Sequence, residues 1–195
     1  MDNIWKDFEQ GGSIVFLKRF ALTTLAAAPF FCTSMPASAE GMLTELRIGV
    51  LDHDSDLLRE RHETSDPDIN LEARFASPDF LSWAYSPNPL IGANINTGDG
   101  TSLAYAGLGW TFFLTDGIFT DFTFGGAIHD GETNGPSADS RQYGCRLAFH
   151  ESFSLGYSFD GHNAIMLGID HMSNASLCDK NDGLTNLGIR YAYRF

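Results

Sequence analysis

Positive charge is scarce in this chain. Lys and Arg together number 12 against 25 Asp and Glu, giving a formal net charge of −13. Phosphate neutralisation needs basic side chains, so this balance excludes nucleic acid as a partner. Equally lacking is a long apolar run, for nothing approaches the roughly 20 residues of a spanning helix, and no stretch keeps a convincing helical period. There is no CxxC pair and no glycine-rich phosphate loop, and His129, His150 and His162 have no spacing that suggests a metal site. Asp52, Asp54, Asp56 and Glu63 fall at four positions of an EF-hand-like loop. Leu57 stands where that loop needs glycine, so an acidic, solvated loop is the expected reading. Cysteine is limited to three residues, Cys32, Cys145 and Cys178.

The N-terminal segment has the grammar of an export signal. Lys18 and Arg19 precede the apolar run Phe20–Phe31, and Ala37-Ser38-Ala39 places small residues where a signal peptidase reads. Phe30-Phe31 before Cys32 does not form a lipoprotein cleavage box. The polar stretch Met1–Ser13 is long for such a signal, which leaves the true start codon open. Residues 1–39 are therefore expected to be removed and residues 40–195 to form the mature domain. Removing the leader takes away three residues of each sign, so the net of −13 persists. Export to an oxidising compartment permits a Cys145–Cys178 disulfide, with two buried thiols as the alternative.

What recurs along the mature chain is a segment of alternating character, rich in aromatics and closed by turn residues. Eight such segments are expected: Leu43–Asp52, Ile69–Ala76, Asn88–Asn96, Thr101–Leu114, Ile118–His129, Arg141–Phe159, Asn163–Ser173 and Leu184–Phe195. An even set of antiparallel strands of this length fits an all-β, eight-stranded antiparallel transmembrane barrel, because lipid tolerates no unpaired edge. Connections on one side are mostly short, as at Thr115–Gly117 and Asp160–His162. On the other side they are mostly longer and rich in Asp, Asn, Gly and Ser, which is the asymmetry of outer-membrane barrels. In the last strand Leu187, Ile189, Tyr191, Tyr193 and Phe195 share one face, and Asn186, Gly188, Arg190, Ala192 and Arg194 the other. Lipid outside and a polar lumen inside account for both faces. A lipocalin-like soluble barrel would reverse them. Glu45, Arg47, Glu72, Arg74, Arg146, Arg190 and Arg194 are expected to fill the lumen as a charged network.

The seventh segment ends in His171-Met172-Ser173-Asn174-Ala175. Residues i and i+2 of a strand point to one side, so His171 and Ser173 are neighbours in the row that carries Ile165, Leu167 and Ile169. A polar pair in a lipid-facing row is costly unless something at the bilayer surface uses it. An imidazole beside a hydroxyl is the minimum for activating serine. This run, followed by Asn181-Asp182-Gly183 and a strand ending in Phe195, resembles the lipid A 3-O-deacylase (PagL) family of outer-membrane acyl hydrolases. Its members are eight-stranded barrels with a His-x-Ser-Asn motif on the seventh strand. The resemblance implies an outer-membrane esterase that works without a cofactor or metal and removes an ester-linked acyl chain from lipid A, the 3-O chain being the expected one. Ser173 would then be the nucleophile and His171 the general base. The Asn174 side chain or nearby backbone amides would be the oxyanion donors, and lipid A of lipopolysaccharide the partner. The competing class is a non-catalytic structural or interaction barrel that retains the motif.

The family pattern breaks at one point. Its acid is a glutamate twelve residues after the serine, and that count lands on Thr185, which carries no charge. Register offers a substitute on the sixth strand. A turn at Asp160-Gly161-His162 pairs Phe159 with Asn163 and sets Glu151 opposite His171. A turn at Gly161-His162-Asn163 pairs Asp160 with Ala164 and sets Glu151 opposite Ser173. Either register brings the carboxylate to the pair, which predicts a Glu151, His171, Ser173 triad from two adjacent strands. A bulge that turns Glu151 into the lumen beside His150 is the alternative.

Overall fold

The computed structural model describes residues 42–56, 63–134 and 141–195. The expected signal peptide, residues 1–39, lies outside them. Eight strands close a barrel in sequence order: β1 Leu43–Asp52, β2 Asp68–Phe75, β3 Asn88–Asn96, β4 Leu103–Phe113, β5 Ile118–His129, β6 Leu147–Ser158, β7 Asn163–Ser173 and β8 Leu184–Arg194. Each strand is antiparallel to its neighbours, and β8 returns to pair with β1, so no edge is left.

The expected boundaries move appreciably at one strand. β6 starts at Leu147, six positions after the expected Arg141. Gly144 has a φ of +77°, a conformation that ends an extended run, and Cys145 is bonded to Cys178. The segment before β6 is therefore held to the loop after β7 and cannot pair along β5.

Alternation divides the residues as lipid requires. Ile48, Val50, Leu71, Ile91, Phe153, Leu155, Leu167 and Ile189 are exposed on the outer wall, while the buried side chains are largely polar. That polarity is opposite to a lipocalin-like barrel. In the lumen Arg47 pairs with Glu45, Arg74 with Glu72, Arg190 with Asp170 and Arg194 with Glu45. The hub of the lower network is Asp121, which accepts hydrogen bonds from both guanidinium groups, Arg47 and Arg74, and from the Thr111 hydroxyl. Buried charges persist when paired and bonded in this way. Arg146 departs from the expectation: it lies outside the strands and donates to the carbonyls of His129 and Gly131.

The loops at the end opposite the short turns are laced together. Glu63 accepts hydrogen bonds from Thr101 and Tyr143 and is 2.9 Å from His53 Nε2, while the other His53 nitrogen faces Asp68. Burial lowers the His53 pKa, but bonds to Asp68 and Glu63 outweigh it and raise the group to about 9. Burial opposes ionisation of Glu63, yet its partners pull it down to about 2. Asp54 pairs with Arg141. Two of the EF-hand-like acidic positions, Asp54 and Glu63, are thus engaged in ion pairs and hydrogen bonds. Among the described residues no group of three or more His, Cys, Asp or Glu is arranged to hold a metal.

Candidate active site

The turn between β6 and β7 decides the site. The Phe159 N–H donates to the Asn163 carbonyl, so the turn is Asp160-Gly161-His162. Pairing then runs without a break from Ser158 with Ala164 to Phe149 with Ser173, and sets Glu151 directly opposite His171. No bulge intervenes in β6 on either side, so Glu151 stays in the outward row between Phe149 and Phe153, and His150 faces the lumen. The lumen-facing alternative for Glu151 is overturned by this register.

The same row continues to β8, where His171 pairs with Thr185. His171 Nδ1 lies 2.8 Å from the Thr185 hydroxyl oxygen. The ring is thus flanked by the Thr185 hydroxyl on β8 and, by strand pairing, by Glu151 on β6. From the sequence, Thr185 marks a missing acid. The structure gives it a job that charge counting does not reveal, which is to fix the imidazole.

Gly183 contributes by its lack of a side chain. A Cβ placed there would lie 2.7 Å from His171 Cε1 and 3.0 Å from Nε2. The ring therefore lies over the glycine, on the β8 side of β7. Ser173 and His171 are both half-buried on the outer face, two residues apart. Around them stand Leu147, Phe149 and Phe124, the last two with stacked rings 6.0 Å apart.

Asn174 points elsewhere. Its Nδ2 donates to the carbonyls of Tyr143 and Lys180, and the residue is 3% exposed. The side chain clasps the loop after β7 to the segment before β6, beside the Cys145–Cys178 disulfide, whose Cα atoms are 6.1 Å apart. Its backbone N–H is accepted by Asn181 Oδ1 at 2.8 Å. Ala175 and Ser176 both have positive φ, 53° and 60°, and Leu177 N–H closes the turn onto the Asn174 carbonyl. Two non-glycine residues held in this conformation two and three positions after Ser173 store backbone strain. Asn181, an exposed residue of the same loop, belongs to the Asn181-Asp182-Gly183 match, but its contact with Asn174 comes only from the folded loop.

The family model described as lipid A 3-O-deacylase (PagL) matches residues 83–194. Among solved structures the chain is similar to a crystal structure of the outer-membrane enzyme PagL, at 19% identity over 77% of this chain and 97% of that one, with a TM-score of 0.55. It is also similar to the Yersinia pestis outer-membrane protein Ail in a phospholipid nanodisc, at 11% identity, 79% and 99% coverage and a TM-score of 0.46. The Ail crystal structure gives 12% identity, 80% and 99% coverage and a TM-score of 0.45. No curated protein matches. With a closed eight-stranded barrel, an apolar outer wall and a family match over more than half its length, the chain is an outer-membrane barrel that belongs to the lipid A 3-O-deacylase family.

Proposed function

We propose that the protein is an outer-membrane esterase that removes an ester-linked acyl chain, the 3-O chain, from lipid A by a serine mechanism. The observation that carries this reading is the row Glu151, His171, Thr185 across β6, β7 and β8, with Ser173 two residues beyond His171 on the same face. The row lies on the outer wall near the long-loop end, where an outer-leaflet lipid can reach it. Its acyl chains lie along the apolar stripe of β6 to β8 and its ester stands at Ser173.

The chemistry follows from the positions. His171 Nδ1–H donates to Thr185 Oγ1, which leaves Nε2 as the base. Nε2 takes the Ser173 proton as Oγ attacks the ester carbonyl, and the tetrahedral oxyanion is met by amide donors at this end of β7. These are the backbone N–H groups of Ala175 and Ser176 and the side-chain N–H of Asn181, oriented by the bond between its Oδ1 and Asn174 N–H. The Asn174 side chain stabilises the loop instead. Collapse of the intermediate breaks the ester C–O bond, and His171 returns the proton to the departing sugar oxygen. Water, activated by the same imidazole, then hydrolyses the acyl-serine. Glu151 supplies the negative charge that favours the imidazolium formed in both steps, acting across one strand spacing of roughly 5 Å.

The test is incubation of the purified, folded barrel with lipopolysaccharide, followed by mass spectrometry of the lipid A. Loss of one hydroxyacyl chain, abolished by Ser173→Ala, is expected. Unchanged lipid A would favour the non-catalytic barrel that Thr185 at the acid position otherwise suggests.

A further inference from the structure

The connection between β2 and β3 contains a six-residue 3₁₀ helix, Asp79–Ala84, with no buried residue. Phe80 is 73%, Trp83 82% and Tyr85 84% exposed. Residues i and i+3 of a 3₁₀ helix eclipse, so Phe80 and Trp83 project along one line. Asp79 is the one charged residue of the helix. Three large aromatic side chains presented together in this way are unfavourable in water.

The helix has a definite seat. Trp110 belongs to the outward row of β4, and its indole Nε1 donates to the Ala84 carbonyl at 2.8 Å. The helix therefore lies against the outer wall of the barrel, not across the mouth of the lumen. The wall beside it is already aromatic and lipid-facing: Phe112 and Leu114 are exposed at the next turn, and Phe159 and Phe195 close the same end of the barrel. This is the short-turn end, which faces the periplasm in outer-membrane barrels. Tyr and Trp side chains settle where an apolar body meets lipid and a polar edge meets headgroups.

We propose that the 79–85 segment is an interfacial anchor, seated in the phospholipid headgroup layer of the periplasmic leaflet with Phe80 and Trp83 inserted and Tyr85 at its border. The anchor hangs below β2 and β3, and the strand order places it across the barrel from β6 and β7, where the reactive row sits. A rigid closed barrel held at one point of its lower rim takes a fixed tilt. The anchor thereby sets the depth at which the opposite upper rim, with His171 and Ser173, meets the outer leaflet. The anchor itself rests on the outer-membrane placement alone and stands whether or not the protein is an esterase.

The test uses the full folded chain reconstituted into phosphatidylethanolamine and phosphatidylglycerol vesicles, with lipids brominated near the top or near the end of the acyl chains. The emission removed by Trp83→Phe reports Trp83. It is expected to be blue-shifted and quenched several-fold more by shallow than by deep bromines. Emission characteristic of water and untouched by bromine would overturn the proposal, as would a shift that depends on protein concentration, which would assign the face to a second copy. A triple variant, Phe80→Ser with Trp83→Ser and Tyr85→Ser, then reads the tilt by polarised infrared dichroism of the strands. A changed dichroic ratio with gel mobility still that of a folded barrel is expected. An identical ratio would overturn the orienting role, and the Trp83 measurement decides the anchor even if that variant does not fold.

Discussion

Replacing Glu151 by glutamine removes one charge and almost no volume from the row that pairs β6 with β7. The expected loss follows from electrostatics. Directly paired residues have Cβ atoms about 5 Å apart, so the carboxylate and the imidazolium ring sit roughly 6 Å from each other. At an effective dielectric of about 20, two unit charges at that separation interact by roughly 2.8 kcal/mol. Partial solvation at the membrane surface reduces this to about 1–2.5 kcal/mol, or roughly 5- to 70-fold in kcat. KM should change little, because the charge acts on the imidazolium and not on the bound ester. The decisive companion is Glu151→Gln with Thr185→Glu, which moves the carboxylate from one strand neighbour of His171 to the other. Deacylation of lipopolysaccharide, followed by mass spectrometry, should show most of the lost rate restored. A purely structural role for Glu151 would give no such rescue. Full activity in Glu151→Gln, or loss in it with no recovery in the double variant, would refute the electrostatic role.

Three further outcomes follow from single contacts. Gly183→Ala puts a methyl group within 2.7 Å of His171 Cε1, displacing the ring. A shift of that kind should cost roughly 100-fold in kcat with the barrel intact by gel mobility. Ser176→Gly relieves a φ of 60° in the turn after Ser173 and should raise stability by about 1 kcal/mol in urea unfolding of the barrel in detergent. The His53 and Glu63 latch has a pH window. The lowered Glu63 group contributes stability that is full above 4.5 and lost as pH falls towards about 2, while the raised His53 group contributes stability that is full below 6.5 and lost as pH rises towards about 9. Amide exchange of the residues flanking His53 and Thr101 should therefore be best protected, after correction for intrinsic rates, between pH 4.5 and 6.5. Equal protection at pH 9 would contradict the latch.

Much of the barrel is legible in the chain because lipid imposes alternation on every strand, and a period of two needs no knowledge of partners. The rows Phe153, Leu155 and Tyr157, and Ile165, Leu167 and Ile169, announce their outward face by composition alone. The same logic places Glu151 opposite His171 once a turn is chosen, since the register of a hairpin is fixed by its turn. Local pattern does not reach further. Asp121 becomes a hub only because β1, β2 and β4 all deliver a partner to it across the lumen. The start of β6 is set by Gly144 and by a disulfide to a residue 33 positions away. Thr185 shows the limit most clearly. Its residue type says that no acid is present, whereas its position says that a hydroxyl holds the imidazole.

The proposed mechanism stands on Ser173 as an activated nucleophile. An alkyl fluorophosphonate phosphonylates a serine hydroxyl that has been made nucleophilic and leaves ordinary surface serines untouched, so peptide mass spectrometry of the treated, folded barrel tests it directly. A phosphonyl adduct is expected on the peptide carrying Ser173, lost in His171→Asn and absent after unfolding. Deacylation of lipid A by a protein that carries no adduct at Ser173 would contradict it.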